Sequence, residues 1–191
     1  MNKQGKVIII AGTPRSGKTT LSIRLSRNGF SRISFDHLGN ALKTAFPDII
    51  PDSHDQDTCS ACLFEFFQSL VISAYEDAAH YGVNTVFDVY DFTPEYIRKL
   101  PHQEMLDAYF LGYPDNNVHE IEQNIVYYAQ PTDWITQVNA QYLKEVAARC
   151  YKVNQNLMKQ CVQYGYPFIN TKSGDERDKI LDELYNAVMA K

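Results

Sequence analysis

Residues Gly12 to Thr19 read Gly-Thr-Pro-Arg-Ser-Gly-Lys-Thr, a complete G-x-x-x-x-G-K-[ST] pattern, and follow the apolar run Val7-Ile8-Ile9-Ile10-Ala11 without a gap. Eight letters can match by accident, so their flanks decide. The run ahead has strand character, and behind it Lys18 to Arg27 places Leu21 and Leu25 one turn apart on a single helical face. Strand, Gly-containing bend and new helix together define a phosphate-binding loop. Gly12 and Gly17 let the backbone turn so that successive N–H groups point inward at phosphate oxygens, and the helix adds the positive end of its dipole. The expected nucleotide contacts are therefore Gly12, Thr13, Pro14, Arg15, Ser16, Gly17, Lys18, Thr19 and the adjoining Thr20. Lys18 reaches toward the β- and γ-phosphates in such a loop, and the Thr19 hydroxyl completes a Mg²⁺ shell otherwise made of water and phosphate.

A chain of 191 residues with 45% hydrophobic content can bury about 70% of its unfolded surface, which predicts one α/β domain over residues 1–191. No linker, repeat or low-complexity stretch divides it. The formal charge of −5 supplies no basic field and argues against a nucleic-acid partner. No apolar run approaches the ~20 residues of a membrane span. The apolar run near the start leads straight into the phosphate loop and reads as a core strand, not a signal peptide. A soluble cytoplasmic protein is expected. The four cysteines are too scattered for a disulfide scaffold. Cys59 and Cys62 form a C-x-x-C at the opening of a helix, and Cys150 and Cys161 do not match it as a second zinc pair. His37, His54, His80, His102 and His119 show no metal spacing, so surface or capping roles are expected for them.

Strand signals occur at 6–11, 32–35, 84–89, 106–111 and 166–169, with helical patterns between them. That alternation predicts a parallel sheet with crossover helices. The clearest helix runs over 60–81, with Leu63, Phe66, Phe67, Leu70, Val71, Ala74, Tyr75 and Ala78 on one stripe, Asp57 or Thr58 as its cap and Gly82 just past its end. A last helix over 174–190 repeats Ile180, Leu181, Leu184, Ala187 and Val188. Two connections, 36–83 and 113–165, are far longer than a minimal crossover of about a dozen residues. Ligands bind at the carboxyl ends of strands in an open parallel sheet, and extra material there forms walls and lids.

The phosphate loop near the N-terminus, an Asp at the end of the second strand signal, another at the end of the third, and a long helical insertion before the last strand together resemble the P-loop small-molecule kinases, such as the adenylate, nucleoside, shikimate and gluconate kinases. The resemblance spans nearly the whole chain in layout, with only the phosphate loop sharply specific. It implies a P-loop NTPase three-layer sandwich on a five-stranded parallel sheet of order 2-3-1-4-5, with 36–83 as an acceptor-side insertion and 113–165 as a lid. Asp88, in Val86-Phe87-Asp88, would then stand beside Thr19 and help hold Mg²⁺. Asp36, in Ile33-Ser34-Phe35-Asp36, would end the outer strand and orient an acceptor hydroxyl. Helix capping is the alternative role for Asp36, and Asp91 is an alternative carboxylate. Tyr90 and Phe92 are expected to be wall residues. Arg149, the only arginine of 113–165, is the candidate transition-state clamp, with a solvated helix face as its alternative reading, and Thr171 and Lys172 are candidate base contacts.

Phosphoryl transfer proceeds through a loose transition state, so catalysis rests on positioning and charge neutralisation, with a carboxylate orienting the nucleophile. The acceptor side carries its own signal. Asp48, Asp52, Asp55, Asp57 and Glu65 crowd a stretch without Lys or Arg, and Lys43 is the only Lys or Arg between Asp36 and Gly82. A phosphorylated acceptor needs cations, ideally the fork of Arg, with Arg98 the nearest later candidate. The expected activity is ATP-dependent transfer to a small-molecule hydroxyl, with an uncharged or cationic acceptor in place of a nucleoside monophosphate. Two readings stay open beside it: a nucleotide-binding regulator or slow ATPase without an acceptor, and a nucleoside or nucleotide kinase. A GTPase fits poorly, because the D-x-x-G match at Asp36 to Gly39 begins 17 residues past Thr19 and no N-K-x-D occurs.

Overall fold

The structure, a computed structural model, describes residues 4–47, 56–90, 92–131, 133–172 and 175–191, without the side chains of 56–62, 134 and 175. Asp48, Asp52, Asp55, Asp91, His54, Ser173 and Gly174 lie outside the described residues, as do the side chains of Asp57, Thr58, Cys59, Cys62 and Asp175.

The run Val7–Gly12 forms β1, buried along its whole length. A continuous β-branched run is what a strand covered on both faces of a parallel sheet requires. The remaining strands are β2 (Phe30–Ser34), β3 (Asn84–Asp88), β4 (Leu106–Gly112) and β5 (Phe168–Asn170), and the sheet runs β2-β3-β1-β4-β5. Flanking helices complete the P-loop NTPase sandwich. They are α1 (Lys18–Ser26), α2 (Phe35–Ala45), α3 (Gln56–Tyr81), α4 (Pro94–Arg98), α5 (Val118–Tyr127), α6 (Ala140–Tyr164) and α7 (Asp175–Ala190). The register sets Ile10 beside Asp88 on β3 and Ser34 beside Asp88 on its other flank.

Three boundaries differ from the sequence expectation. Phe35 opens α2 instead of closing β2, so Asp36 stands in a helical first turn and not at a strand end. An apolar residue after Ile33 reads as strand locally, but Phe35 is buried by aromatic packing, at 5.0 Å from Phe67 and 5.2 Å from Phe92 between ring centroids. Nor does Asp36 cap the helix: the N-cap is Ser34, which makes no side-chain capping bond. α3 begins at Gln56, which places Asp57 and Thr58 inside it rather than at its cap. β5 starts at Phe168, after Pro167, whose missing N–H cannot join a ladder.

By its internal contacts the chain divides into two compact units, one of Met1–Ala11 with Lys18–Tyr109, the other of Gly12–Gly17 with Phe110–Lys191. In the first, Leu63, Phe67, Val71, Ala74, Tyr75 and Ala78 of α3 are buried, and Gly82 closes the helix in the left-handed conformation. Phe67 stacks on Phe92 at 4.4 Å and meets Phe87 edge-on at 5.6 Å. Phe92 is thus a core residue and not a wall of a site. In the second unit, Tyr113, Ile121, Ile125, Ile135, Val146, Ala147 and Cys150 form a core belonging to the long insertion. α5 enters it through a capping box, Asn117 accepting from the Glu120 amide while Glu120 accepts from the Asn117 amide. Replacing Phe67 by Ala should cost about 3–5 kcal/mol, the usual loss for a buried aromatic, read as a lowered midpoint in urea denaturation; an unchanged midpoint would contradict this packing.

Candidate active site

In the first unit, β3 delivers Asp88 to its carboxyl end, where the carboxylate is almost wholly buried. Its Oδ2 accepts from Ser22 Oγ at 3.0 Å and from the Arg32 guanidinium at 2.5 Å, and Arg32 also donates from Nε to Ser22 Oγ at 2.7 Å. Ser22 Oγ also lies 3.1 Å from the Thr19 carbonyl, an alternative acceptor for its single proton, and so links Asp88 to the first turn of α1. A buried carboxylate needs such partners, and breaking a pair of this kind costs about 3–5 kcal/mol. The other oxygen, Oδ1, is buried with no hydrogen-bond partner among the described residues.

Lys18 heads α1 and is buried, its ammonium lying 5.5 Å from the centroid of the half-buried Tyr90 ring. Asp36 follows the anchored Phe35 and is exposed. Loss of water around its carboxyl raises its pKa above the ordinary value; Lys18 opposes the rise, Asp88 adds to it, and His37 and Arg32 oppose it. Because the residue is exposed, solvent screens part of each effect. The first unit therefore brings Lys18, Asp36 and Asp88 into one electrostatic neighbourhood.

In the second unit, the loop Gly12–Gly17 is held by its own backbone and by the insertion. Gly12 has φ 137°, and a side chain there would strike the Leu111 carbonyl. The Thr13 amide donates to that carbonyl at 3.1 Å. Ser16 is buried, and its hydroxyl donates to the Thr13 carbonyl at 2.8 Å. Arg15 takes a left-handed φ of 63° and pairs with Asp133 at 2.8 Å. A backbone hydrogen bond from Gln130, with Arg15 beside it, holds the Asp133 carboxyl below the usual carboxylate range.

The remaining expected residues are less concentrated. Thr171 is buried, its amide and hydroxyl both donating to the Gly112 carbonyl, and Lys172 pairs with Glu176 at 2.9 Å on the surface. Arg149 is exposed on α6, and Thr19 is exposed at the start of α1. Cys161 is buried and its thiol is pushed up to about 12 by desolvation, which makes it inert at neutral pH. Among the described residues, no cluster of three or more His, Cys, Asp or Glu could hold a metal. No helix among them is long and apolar enough to cross a membrane.

Sequence reasoning passed over Arg32, Ser22, Tyr113, Asp133 and Asn154. Two of these left a signal. Arg32 sits within a strand of a parallel sheet, where a charge needs a partner. Asn154 falls on the buried stripe Val146, Ala147, Cys150, Leu157 and Cys161 of α6, where a polar side chain must find hydrogen bonds. The Arg15–Asp133 pair spans 118 residues of sequence and left none.

The sheet order and the flanking helices together define a P-loop NTPase sandwich. The solved structures similar to this chain include the shikimate kinase from Bacteroides thetaiotaomicron, at a TM-score of 0.58 and 12% identity, covering 96% of this chain and 98% of that one. The shikimate kinase from Acinetobacter baumannii in complex with shikimate gives 0.55 and 16% identity, covering 99% and 96%. A gluconokinase from Sinorhizobium meliloti 1021 gives 0.53 and 13%, covering 100% and 98%. No family model matches the sequence, and no curated protein matches it.

The raised pKa of Asp36 has a measurable sign. Its native carboxyl holds a proton more tightly than the unfolded one, so its contribution to stability is lost as pH rises from the unfolded pKa through the folded one. Asp36→Asn should remove that decline from thermal melts across this window. Carboxyl NMR should find Asp36 titrating above the ordinary value, and higher still in Lys18→Met; titration at or below the ordinary value would contradict the electrostatics described.

Proposed function

We propose that this chain is an ATP-dependent phosphotransferase that moves the γ-phosphoryl group to a hydroxyl of a small molecule bearing no phosphate of its own. The observation that carries this reading is the division between two carboxylates. Asp88 is buried and fixed on one oxygen by Arg32 and Ser22, while Asp36 is exposed with a raised pKa. One is held still by its partners, the other is open to a ligand's proton. The fold shared with shikimate kinases and a gluconokinase supports a hydroxyl acceptor.

Within this reading the loop amides of 12–17 cradle the phosphates and Lys18 stabilises the charge that builds on the transferring group. Asp36 accepts a hydrogen bond from the acceptor hydroxyl, orients its oxygen for in-line attack and takes the proton as the new bond forms. Its raised pKa brings it nearer to neutrality than an ordinary carboxylate. The bare Oδ1 of Asp88 and the Thr19 hydroxyl fit the oxygen donors that Mg²⁺ prefers. These two residues would hold the ion, which when bound neutralises phosphate charge. Residues 113–165 serve as the lid that keeps water from the transferring group, and Arg149 is its clamp.

The acceptor's class follows from cations. Of the arginines near Asp36, Arg32 is committed to Asp88, and 36–83 offers Lys43 as its only Lys or Arg. That supports an uncharged or cationic acceptor. A screen of hydroxyl compounds by coupled ADP release should find acceptor-dependent turnover, with nucleosides, sugars or amino alcohols ahead of nucleoside monophosphates. Preference for a monophosphate would contradict the acceptor class, and ATP consumption indifferent to every acceptor would contradict transfer itself. Lys18→Met should lower turnover by about 10²-fold or more with an unchanged circular dichroism spectrum; full activity would defeat the assignment.

A further inference from the structure

Three consecutive residues of the phosphate loop are each held by a different residue of the segment 113–154. The Thr13 hydroxyl donates to Asn154 Oδ1 at 3.2 Å, the Pro14 carbonyl accepts from the Tyr113 hydroxyl at 2.6 Å, and the Arg15 guanidinium donates to Asp133 at 2.8 Å. Asn154 is wholly buried on α6 and bonded at both ends of its amide: its nitrogen donates to the Cys150 carbonyl at 2.9 Å, and its oxygen also accepts from the Tyr113 amide at 2.8 Å. The absence of a side chain at Gly112 is what admits it, since a Cβ there would collide with the Asn154 oxygen. Asp133 is fixed on its own side, its carboxylate accepting from the Gln130 amide at 2.6 Å.

We propose that Asn154 and Asp133 are positioning residues that hold the phosphate loop in its ligand-ready shape before nucleotide arrives. Two features require an external hold. Thr13 and Ser16 are buried with their hydroxyls turned to protein acceptors, so the loop's shape is set by polar bonds that need fixed partners. Arg15 is a non-glycine residue in the left-handed region, a conformation that persists only where the surroundings enforce it. Asp133 supplies that enforcement through a partly buried pair, with side chains 20% and 26% exposed. The consequence for nucleotide binding rests on the phosphotransferase reading: the insertion both shields the transfer and presets the loop, so that less ordering is left for the ligand to impose.

Asn154→Ala and Asp133→Asn test this, and the second, at a partly buried carboxylate, decides if the first fails to fold. In the nucleotide-free protein, hydrogen exchange at the Thr13 and Ser16 amides should quicken by about tenfold in either variant, with β1 and β3 unchanged. Affinity for Mg–ATP by calorimetry should fall by about three- to tenfold, and KM for ATP should rise by a similar factor with kcat retained. Unchanged exchange in a folded variant would overturn the proposal, as would tighter nucleotide binding in Asp133→Asn, which would make the pair a brake on Arg15. A wild-type chain that binds no Mg–ATP would sink the phosphotransferase reading, and the exchange measurement would still decide whether these residues hold the loop.

Discussion

The bend of residues 12–17 depends on bonds to the strand end at Leu111 and to the segment 113–154, which fix its backbone. β1 ends on Gly12, where a side chain would strike the Leu111 carbonyl, and that same carbonyl receives the Thr13 amide. The apolar run ahead of it is buried throughout, and α1 behind it buries Leu21 and Leu25.

The carboxyl end of β3 carries the second constraint. Burying a carboxylate is costly unless it is paired and hydrogen-bonded, and Arg32 from the adjacent strand pairs with Asp88, with Ser22 completing the contact from α1. This triangle ties two strands and the first helix together at the place where the loop delivers Lys18. Asp36 lies within the reach of the same charges but is exposed, positioned by Phe35 in the aromatic cluster. The two neighbouring carboxylates thus have opposite surroundings, one buried and paired and the other exposed.

The strand order came only from the family resemblance, whereas the strands, the glycine-containing bend and the helices between them were legible because each rests on a local pattern: a β-branched run, a glycine spacing, a helical stripe. The start of α2 was not, since Phe35 continues an apolar strand pattern and only its packing on Phe67 and Phe92 shows that it opens a helix. The candidate carboxylates could be named, but their division could not, because it depends on Arg32 meeting Asp88 across strands. Asn154 was legible in principle as a polar residue on an apolar stripe, whereas the pairing of Arg15 with Asp133 depends on chain folding over a long separation and leaves no spacing to read.

The most direct test of this account is titration calorimetry of the purified chain with ATP and magnesium. A phosphate loop held as described predicts saturable heat with one site per chain, lost in Lys18→Met. No detectable heat at millimolar nucleotide, in protein shown to be folded, would contradict it.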